Sequence, residues 1–337
     1  MENRLSRAET WAALSVALVL AACASPTPEP SATPKPATNT PISTVTEAAT
    51  ETPTVTLAPT QTLTPTETLT PTATQTPRVV PKGRVTILIL GSDQRPGSGF
   101  RTDVIVLLTV DTIKDTVSAV SFPRDLYVEI PGWKEERINT AMPHGGFDLL
   151  ADTFEVNFGL RPDYYVMTNM LGFVDIIDSL GGITVSVGST LIDECSWSVF
   201  ISDQGHCEVK PGPTEMDGET ALWYVRSRKT SNDFDRLRRA QEVMLAIFYK
   251  SMRLNAAARL PDMYKAYKSN VQTNMTAASM VRLLPTAGEV FGDYSRFSRY
   301  TISSKEVTSH RTETRMAVLL PDYEKIGEIL DQAVFAP

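Results

Sequence analysis

Histidine is nearly missing from this 337-residue chain. Its three copies, His144, His206 and His310, fall in no metal-binding spacing. Cysteine is equally scarce, with three copies and no paired spacing of the zinc type. There is no Gly-x-Ser-x-Gly elbow and no P-loop, which removes the acyl-hydrolase and Walker-type nucleotide chemistries. Excess positive charge is also absent: the formal net charge is −7, so bulk attraction to nucleic acid is excluded as a driving force. The apolar run at residues 11–22 is shorter than a membrane span requires.

That run follows Arg4 and Arg7, giving residues 1–22 the layout of an export signal. It ends in Leu20-Ala21-Ala22-Cys23, which resembles the bacterial lipobox. The resemblance implies cleavage before Cys23 and a diacylglycerol thioether on its sulfur, enough for stable anchoring. Plain secretion, with Cys23 a chance residue, is the alternative. Residues 23–81 are rich in Thr, Pro, Ser and Ala and too poor in apolar side chains to offset the entropy of ordering. They read as a stalk stiffened by proline, or as a spacer without a role of its own. The other two cysteines, Cys195 and Cys207, are expected to form a disulfide in an oxidising compartment.

From residue 82 onward, strand and helix patterns alternate. Apolar runs at 85–90, 104–110 and 117–122 predict three buried strands, and 126–130 a short fourth. Helices are expected at 147–158, 171–180, 218–225 and 235–254, and strands at 164–167 and 183–187. Weaker signals mark helices at 277–291 and 322–335 and a strand at 299–302. The order predicts a three-layer α/β/α sandwich with a mixed central sheet. Residues 82–255 form its core and residues 256–337 extend the same domain.

If the first three strands run antiparallel in sequence, their connections alternate between the two sheet ends. Asp93, Arg101, Asp103, Arg124 and Asp125 then share one edge, beside a Gly/Pro-rich loop at 96–99. A second cluster holds Arg226, Arg228 and Lys229, then Asp233, Asp235, Arg236 and Arg239 at a helix start. Arginines in a first helical turn oppose the macrodipole, which favours anions there. Asp233 and Asp235 offset part of that cost, and a bound phosphate is expected to offset the rest. Each element alone has an ordinary reading as a turn residue, a surface pair or a solvated helix face. Together, acids for a divalent cation and arginines for an anion point to a Mg²⁺–pyrophosphate site. His144, before Gly145-Gly146, reads as a loop residue.

The ordered motifs Gly91-Ser92-Asp93-x-Arg95, Arg101-Thr102-Asp103, Phe122-Pro123-Arg124-Asp125, Arg137-Ile138-Asn139 and Gly145-Gly146 are followed by Asp178-x-Leu180-Gly181-Gly182 and Asp217-Gly218-x-x-Ala221-Leu222. Arg226-x-Arg228 and Asp233-Phe234-x-Arg236-x-x-Arg239 complete the series. Over residues 84–255 this pattern resembles the LytR–CpsA–Psr family of cell-envelope glycopolymer ligases. The resemblance implies a polyprenyl-pyrophosphate-linked glycan as donor, its tail in an apolar lipid-binding tunnel between sheet and helices. It implies Mg²⁺ (or Mn²⁺) on Asp93 and Asp103, and pyrophosphate on Arg101, Arg124, Arg226, Arg228, Arg236 and Arg239. Asp103 and Asp125 are the candidates for a base, alongside Asp93 and Arg124 in the catalytic set. The implied acceptor is peptidoglycan or a glycoprotein, outside the cytoplasm at a membrane that the lipid anchor would reach.

Three positions depart from the family pattern. Ala240 stands where the first of two glutamines is usual, leaving Gln241 and one head-group hydrogen bond to be supplied elsewhere. Arg137 stands where lysine is commoner. A lipid anchor replaces the usual transmembrane helix. The competing readings are a non-catalytic module that binds the lipid carrier, and a polyprenyl-pyrophosphate phosphatase in which water replaces the acceptor. A DNA-binding regulator is disfavoured by the acidic chain, the export signal and the stalk.

Overall fold

The unbroken apolar run at 85–90 suits a strand covered on both faces, and it forms the centre of β1 (Arg84–Ser92). The structure is a computed structural model describing residues 77–94, 99–194, 206–228, 233–253 and 267–336. The export signal, Cys23, most of the stalk, Cys195 and Lys229 lie outside the described residues. β1 pairs antiparallel with β2 (Thr102–Asp111), and β2 pairs antiparallel with β3 (Thr116–Phe122), as expected from the alternating connections. A short ribbon of β4 (Tyr127–Glu129) and β5 (Glu135–Arg137) follows. The helix α1 (Ala141–Phe158) is kinked at Gly145 and Gly146, so its regular part is the expected 147–158.

β6 (Tyr164–Asn169) returns parallel to β1 and ends at the same sheet edge. There α2 (Met170–Ser179) starts, capped by the Asn169 side chain, which accepts the Gly172 N–H at 2.8 Å. Gly182, at φ 82°, ends the turn after α2 and leads into β7 (Ile183–Val187). Then come β8 (Leu191–Asp193), β9 (Cys207–Val209) and β10 (Gly212–Met216); β8 pairs with β9, and β7 with β10. α3 (Gly218–Arg226) and α4 (Asp233–Arg253) match the expected helices within two residues.

The stretch after residue 256 supplies both outer strands of the central sheet. β11 (Val271–Thr273) pairs antiparallel with β6. After α5 (Ala277–Gly292), β12 (Phe297–Thr301) pairs parallel with β3. The resulting six-stranded mixed sheet has the order β11-β6-β1-β2-β3-β12. β13 (Val307–Arg311) and β14 (Ala317–Pro321) form a ribbon, followed by α6 (Tyr323–Leu330). The expected helix at 322–335 instead changes at Asp331 into a five-residue π turn. Its carbonyls are claimed by the sheet: Ser118 Oγ donates to Ala333 O at 2.6 Å, and Arg84 donates to Val334 O and Ala336 O.

Helices flank the sheet on both faces. Leu88, Leu90, Ile105, Leu107, Val120 and Phe122 point one way, at strand period two, into a core with Leu150, Phe154 and Phe158 of α1 and Ile326 of α6. Phe122 and Phe154 meet edge to face with ring centroids 4.9 Å apart. Truncating a buried phenylalanine such as Phe154 costs about 3–5 kcal/mol. On the opposite face, Gln241 of α4 donates from Nε2 to Ser121 Oγ at 2.8 Å and to Tyr300 O at 2.9 Å. A second core, including Ile177, Val185, Ala221, Trp223 and Val243, joins α2, α3 and α4 to the β7–β10 ribbon.

Candidate functional site

Between the sheet and the layer formed by α2, α3 and α4 lies a cavity of about 900 Å³. Its walls are apolar in the interior: Ile89, Val104 and Val166 from the sheet, Phe173 and Ile176 from α2, and Met244 and Ile247 from α4. Its charged lining comprises Asp93, Asp103, Arg226, Arg228 and Arg236, together with Asp193 and Glu194. Of the five residues expected at one sheet edge, Asp93 and Asp103 line this cavity, where they meet Arg226, Arg228 and Arg236 of the second cluster; Arg101, Arg124 and Asp125 do not line it.

Asp93 closes β1 by a clasp with the start of β2. Its Oδ1 accepts the Arg101 N–H at 2.6 Å, and its own N–H donates to Arg101 O at 3.1 Å. Arg101 itself is exposed. Arg124, just past β3, reaches back to β2, with Nη1 3.0 Å from Asp103 Oδ1 and Nε 3.5 Å from Asp125 Oδ2. Burial works against the Arg124 charge, yet Asp103 and Asp125 outweigh it and hold the guanidinium above its ordinary pKa. Asp125 is shared with Arg137, whose Nη1 lies 3.3 Å from Oδ1 while its Nη2 donates to Ala317 O at 2.7 Å. A small cavity of about 30 Å³ touches Arg124, Asp125, Asp103 and Arg236.

Arg236 pairs with Asp233 at 2.7 Å. Its pKa is nonetheless pushed down, first by burial and then by the neighbouring charges of Arg124 and Arg228. The Nε groups of Arg124 and Arg236 are buried and make no hydrogen bond among the described residues. Arg236, repelled by Arg124 and Arg228, and the buried Nε groups of Arg124 and Arg236 are the kind of donor set that an anion would engage.

Arg239 is placed differently from the other predicted arginines. It is 2% exposed, and its guanidinium donates to Tyr224 O, to Ser227 O at 2.7 Å and to Asp235 O at 3.4 Å. Burial lowers its pKa to about 10, so it keeps its charge at neutral pH. It does not line the cavity; it holds the backbone between Tyr224 and Ser227. Gln241 is likewise spent on the sheet, while Ala240 faces the cavity.

One contributor, Asp193, carried no sequence signal for the site, while the motif residues Asp178, Asp217 and Gly218 support it from outside the cavity lining. Asp193, read only as the flank of the cysteine loop, accepts from Ser227 Oγ at 2.5 Å and from the Arg228 N–H at 2.8 Å, both on Oδ2. Asp178 accepts the Gly218 N–H at 2.8 Å and seats α3, whose Asp217 cap accepts from Thr220 N at 2.8 Å. Gly218 is required there because a Cβ would stand 2.5 Å from Val174 O. Cys207 is disulfide-bonded, and its expected partner Cys195 lies outside the described residues. His144 stacks on Trp133 with ring centroids 4.5 Å apart, outside both cavities.

For the predicted metal, the donor set is two carboxylates, Asp93 and Asp103, lining one cavity. No cluster of three or more acidic, histidine or cysteine side chains occurs among the described residues. Two carboxylates fit a hard cation that completes its shell with phosphate oxygens and water, as Mg²⁺ commonly does.

Comparison with known proteins gives a consistent picture. The sequence profile of the LytR_cpsA_psr family matches residues 48–325. The polyisoprenyl-teichoic acid–peptidoglycan teichoic acid transferase TagU of Bacillus subtilis (strain 168) is 33% identical over 202 residues, covering 59% of this chain and 62% of that protein. The chain spans about three fifths of the length of the curated relatives it matches first. The crystal structure of B. subtilis TagV aligns with TM-score 0.60 and 25% identity over 76% of this chain and 99% of TagV. A structure of TagT bound to LIIa-WTA shares the fold, with TM-score 0.58, 24% identity and coverage of 76% and 92%.

Proposed function

This chain belongs to the LytR_cpsA_psr family, and from that premise we propose that it transfers a phosphate-linked glycan from a polyprenyl-pyrophosphate carrier to a cell-envelope acceptor. One observation carries the reading: a largely apolar cavity of about 900 Å³ whose lining also holds Arg226, Arg228 and Arg236 together with Asp93, Asp103, Asp193 and Glu194. A ligand with a long apolar tail and a multiply charged head matches that division. The name of TagU as a polyisoprenyl-teichoic acid–peptidoglycan transferase, and TagT bound to LIIa-WTA, support the same ligand class.

In this reading Ile89, Val104, Phe173, Met244 and Ile247 cover the isoprenoid chain. Arg124, Arg226, Arg228 and Arg236 grip the pyrophosphate, with Arg101 beside them. Asp93 and Asp103 would hold Mg²⁺ (or Mn²⁺), which would supply charge neutralisation for the pyrophosphate. The acceptor hydroxyl oxygen forms a bond to the glycan-linked phosphorus as the bridging P–O bond breaks. Polyprenyl phosphate leaves with the bonding electron pair, and the hydroxyl proton passes to a carboxylate, Asp103 or Asp125. Asp103 is paired with Arg124, and Asp125 with Arg124 and Arg137. The arginines do most of the catalysis by stabilising developing charge. The export-signal pattern of residues 1–22 and the lipobox-like motif at Cys23 support a reaction outside the cytoplasm, at a membrane anchor.

The test is polymer transfer from a purified lipid-linked donor in the presence of Mg²⁺, comparing wild type with Arg124→Ala and Asp93→Ala. Loss in both variants is expected; near-wild-type transfer in either refutes the assigned roles. Donor bound without turnover would reduce the protein to a carrier-binding module. Free rather than acceptor-linked product would make it a phosphatase.

A further inference from the structure

Asp193 lines the cavity together with Asp93, Asp103 and Glu194 and with Arg226, Arg228 and Arg236, where a carboxylate facing a phosphate ligand would repel it. Its Oδ2 is committed instead, accepting from Ser227 Oγ at 2.5 Å and the Arg228 N–H at 2.8 Å. The backbone it holds is the turn that leaves α3, with Ser227 in extended geometry at φ −54° and ψ 141° and an exposed arginine on each side. From the protein interior Arg239 holds the same turn by donating to Tyr224 O and Ser227 O. Asp193 is itself fixed in the β8–β9 ladder opposite Cys207, whose sulfur is disulfide-bonded. Trp223 Nε1 donates to Glu194 O at 3.2 Å and adds a further tie between the two segments.

We propose that Asp193 is a positioning residue for the anion site: its carboxylate oxygen fixes the Ser227–Arg228 backbone so that Arg226 and Arg228 present their guanidiniums to the pyrophosphate. The proposal rests on the ligand class argued above. Both turn donors converge on Oδ2, so an amide oxygen there keeps both bonds to the turn, since a carbonyl oxygen has two acceptor sites, and gives up the bond that Oδ1 accepts from the Glu194 N–H at 2.7 Å. Geometry, rather than charge, is then what the position supplies.

The experiment measures binding of geranylgeranyl pyrophosphate and of geranylgeraniol to the full chain, read by tryptophan fluorescence. Asp193→Ala is expected to weaken the pyrophosphate about tenfold to a hundredfold while leaving the alcohol unchanged. Asp193→Asn is expected to stay within about threefold of wild type, or to bind tighter, because it keeps the acceptor and removes a negative charge. Equal losses in the Asn and Ala variants would overturn the proposal by making the charge itself essential. So would an Ala variant that binds pyrophosphate like wild type, or one that loses both ligands together. Should Asp193→Ala fail to fold, Ser227→Ala decides: a several-fold loss for pyrophosphate alone supports the clamp, and no loss removes it. Wild-type protein that binds the pyrophosphate no better than the alcohol would instead sink the underlying ligand assignment, a result distinguishable from failure of the clamp alone.

Discussion

Arg124 Nη1 lies 3.0 Å from Asp103 Oδ1, joining the residue after β3 to the start of β2. Asp103 and Arg236 line both the large cavity, which Asp93 also lines, and the small one, which Arg124 touches. Replacing Arg124 by Ala leaves Asp103 half-buried without its partner and, on the proposed reading, removes a donor to the developing charge. Transfer from a lipid-linked donor is expected to fall by about a hundredfold or more. Arg124→Lys is expected to recover little, because an ammonium cannot span Asp103 and Asp125 as the planar fork does. Steady-state rates for the two variants decide it: a Lys variant close to wild type would mean that charge alone suffices.

Arg239 and Arg101 are expected to separate in opposite directions. Arg239→Ala leaves the Tyr224 and Ser227 carbonyls without their donors and is expected to cost about 2–4 kcal/mol in urea unfolding. Arg101 is exposed, so Arg101→Ala is expected to change stability by less than about 0.5 kcal/mol while weakening pyrophosphate binding. Equal stability losses in both would contradict the placement of Arg239 as an interior brace.

Acid is expected to loosen the carboxyl-terminal segment through Asp111. Burial alone would raise the pKa of this carboxyl, but the N–H groups of Lys114 and Ile113 and the Arg84 guanidinium outweigh burial and hold it below 3.8. Because the folded value is the lower one, the contribution is complete above about pH 4 and is lost as pH falls through the folded value. Arg84 also holds Val334 O and Ala336 O, so its loosening reaches the π turn. The stability gap between wild type and Asp111→Asn should be constant from pH 8 to 5 and narrow below about pH 4. A gap that widens in acid would reverse the assignment.

Ala240 faces the cavity where a larger side chain would intrude. Ala240→Phe is expected to reduce binding of geranylgeraniol and geranylgeranyl pyrophosphate alike, with little loss of stability because the ring fills existing space. Retained binding of both would show that the tail lies elsewhere.

Much of the architecture was legible in order and pattern. The runs at 85–90, 104–110 and 117–122 became adjacent strands because continuous apolar residues need cover on both faces. Alternating connections then place Asp93, Asp103 and Arg124 at one edge of the sheet. Arg239 was not legible as a brace. Three residues after Arg236 on the same helix, it has the same residue type and the same local spacing. Only the packing of α3 against α4 turns one guanidinium toward the cavity and the other into backbone carbonyls. Asp193 was equally silent, since nothing local marks an acceptor whose donors lie 34 and 35 residues onward.

The sequence by itself determined the strand and helix order, the edge that collects the charges and the family to which the chain belongs. Those follow from local periodicity and from motif spacing, which are properties of the covalent chain. Tertiary structure alone decided which arginines meet the cavity, that residues after 256 provide both outer strands, and that an acid braces the arginine turn. The physical reason is that these depend on burial and on hydrogen-bond partners distant in sequence, which exist only once the layers have packed.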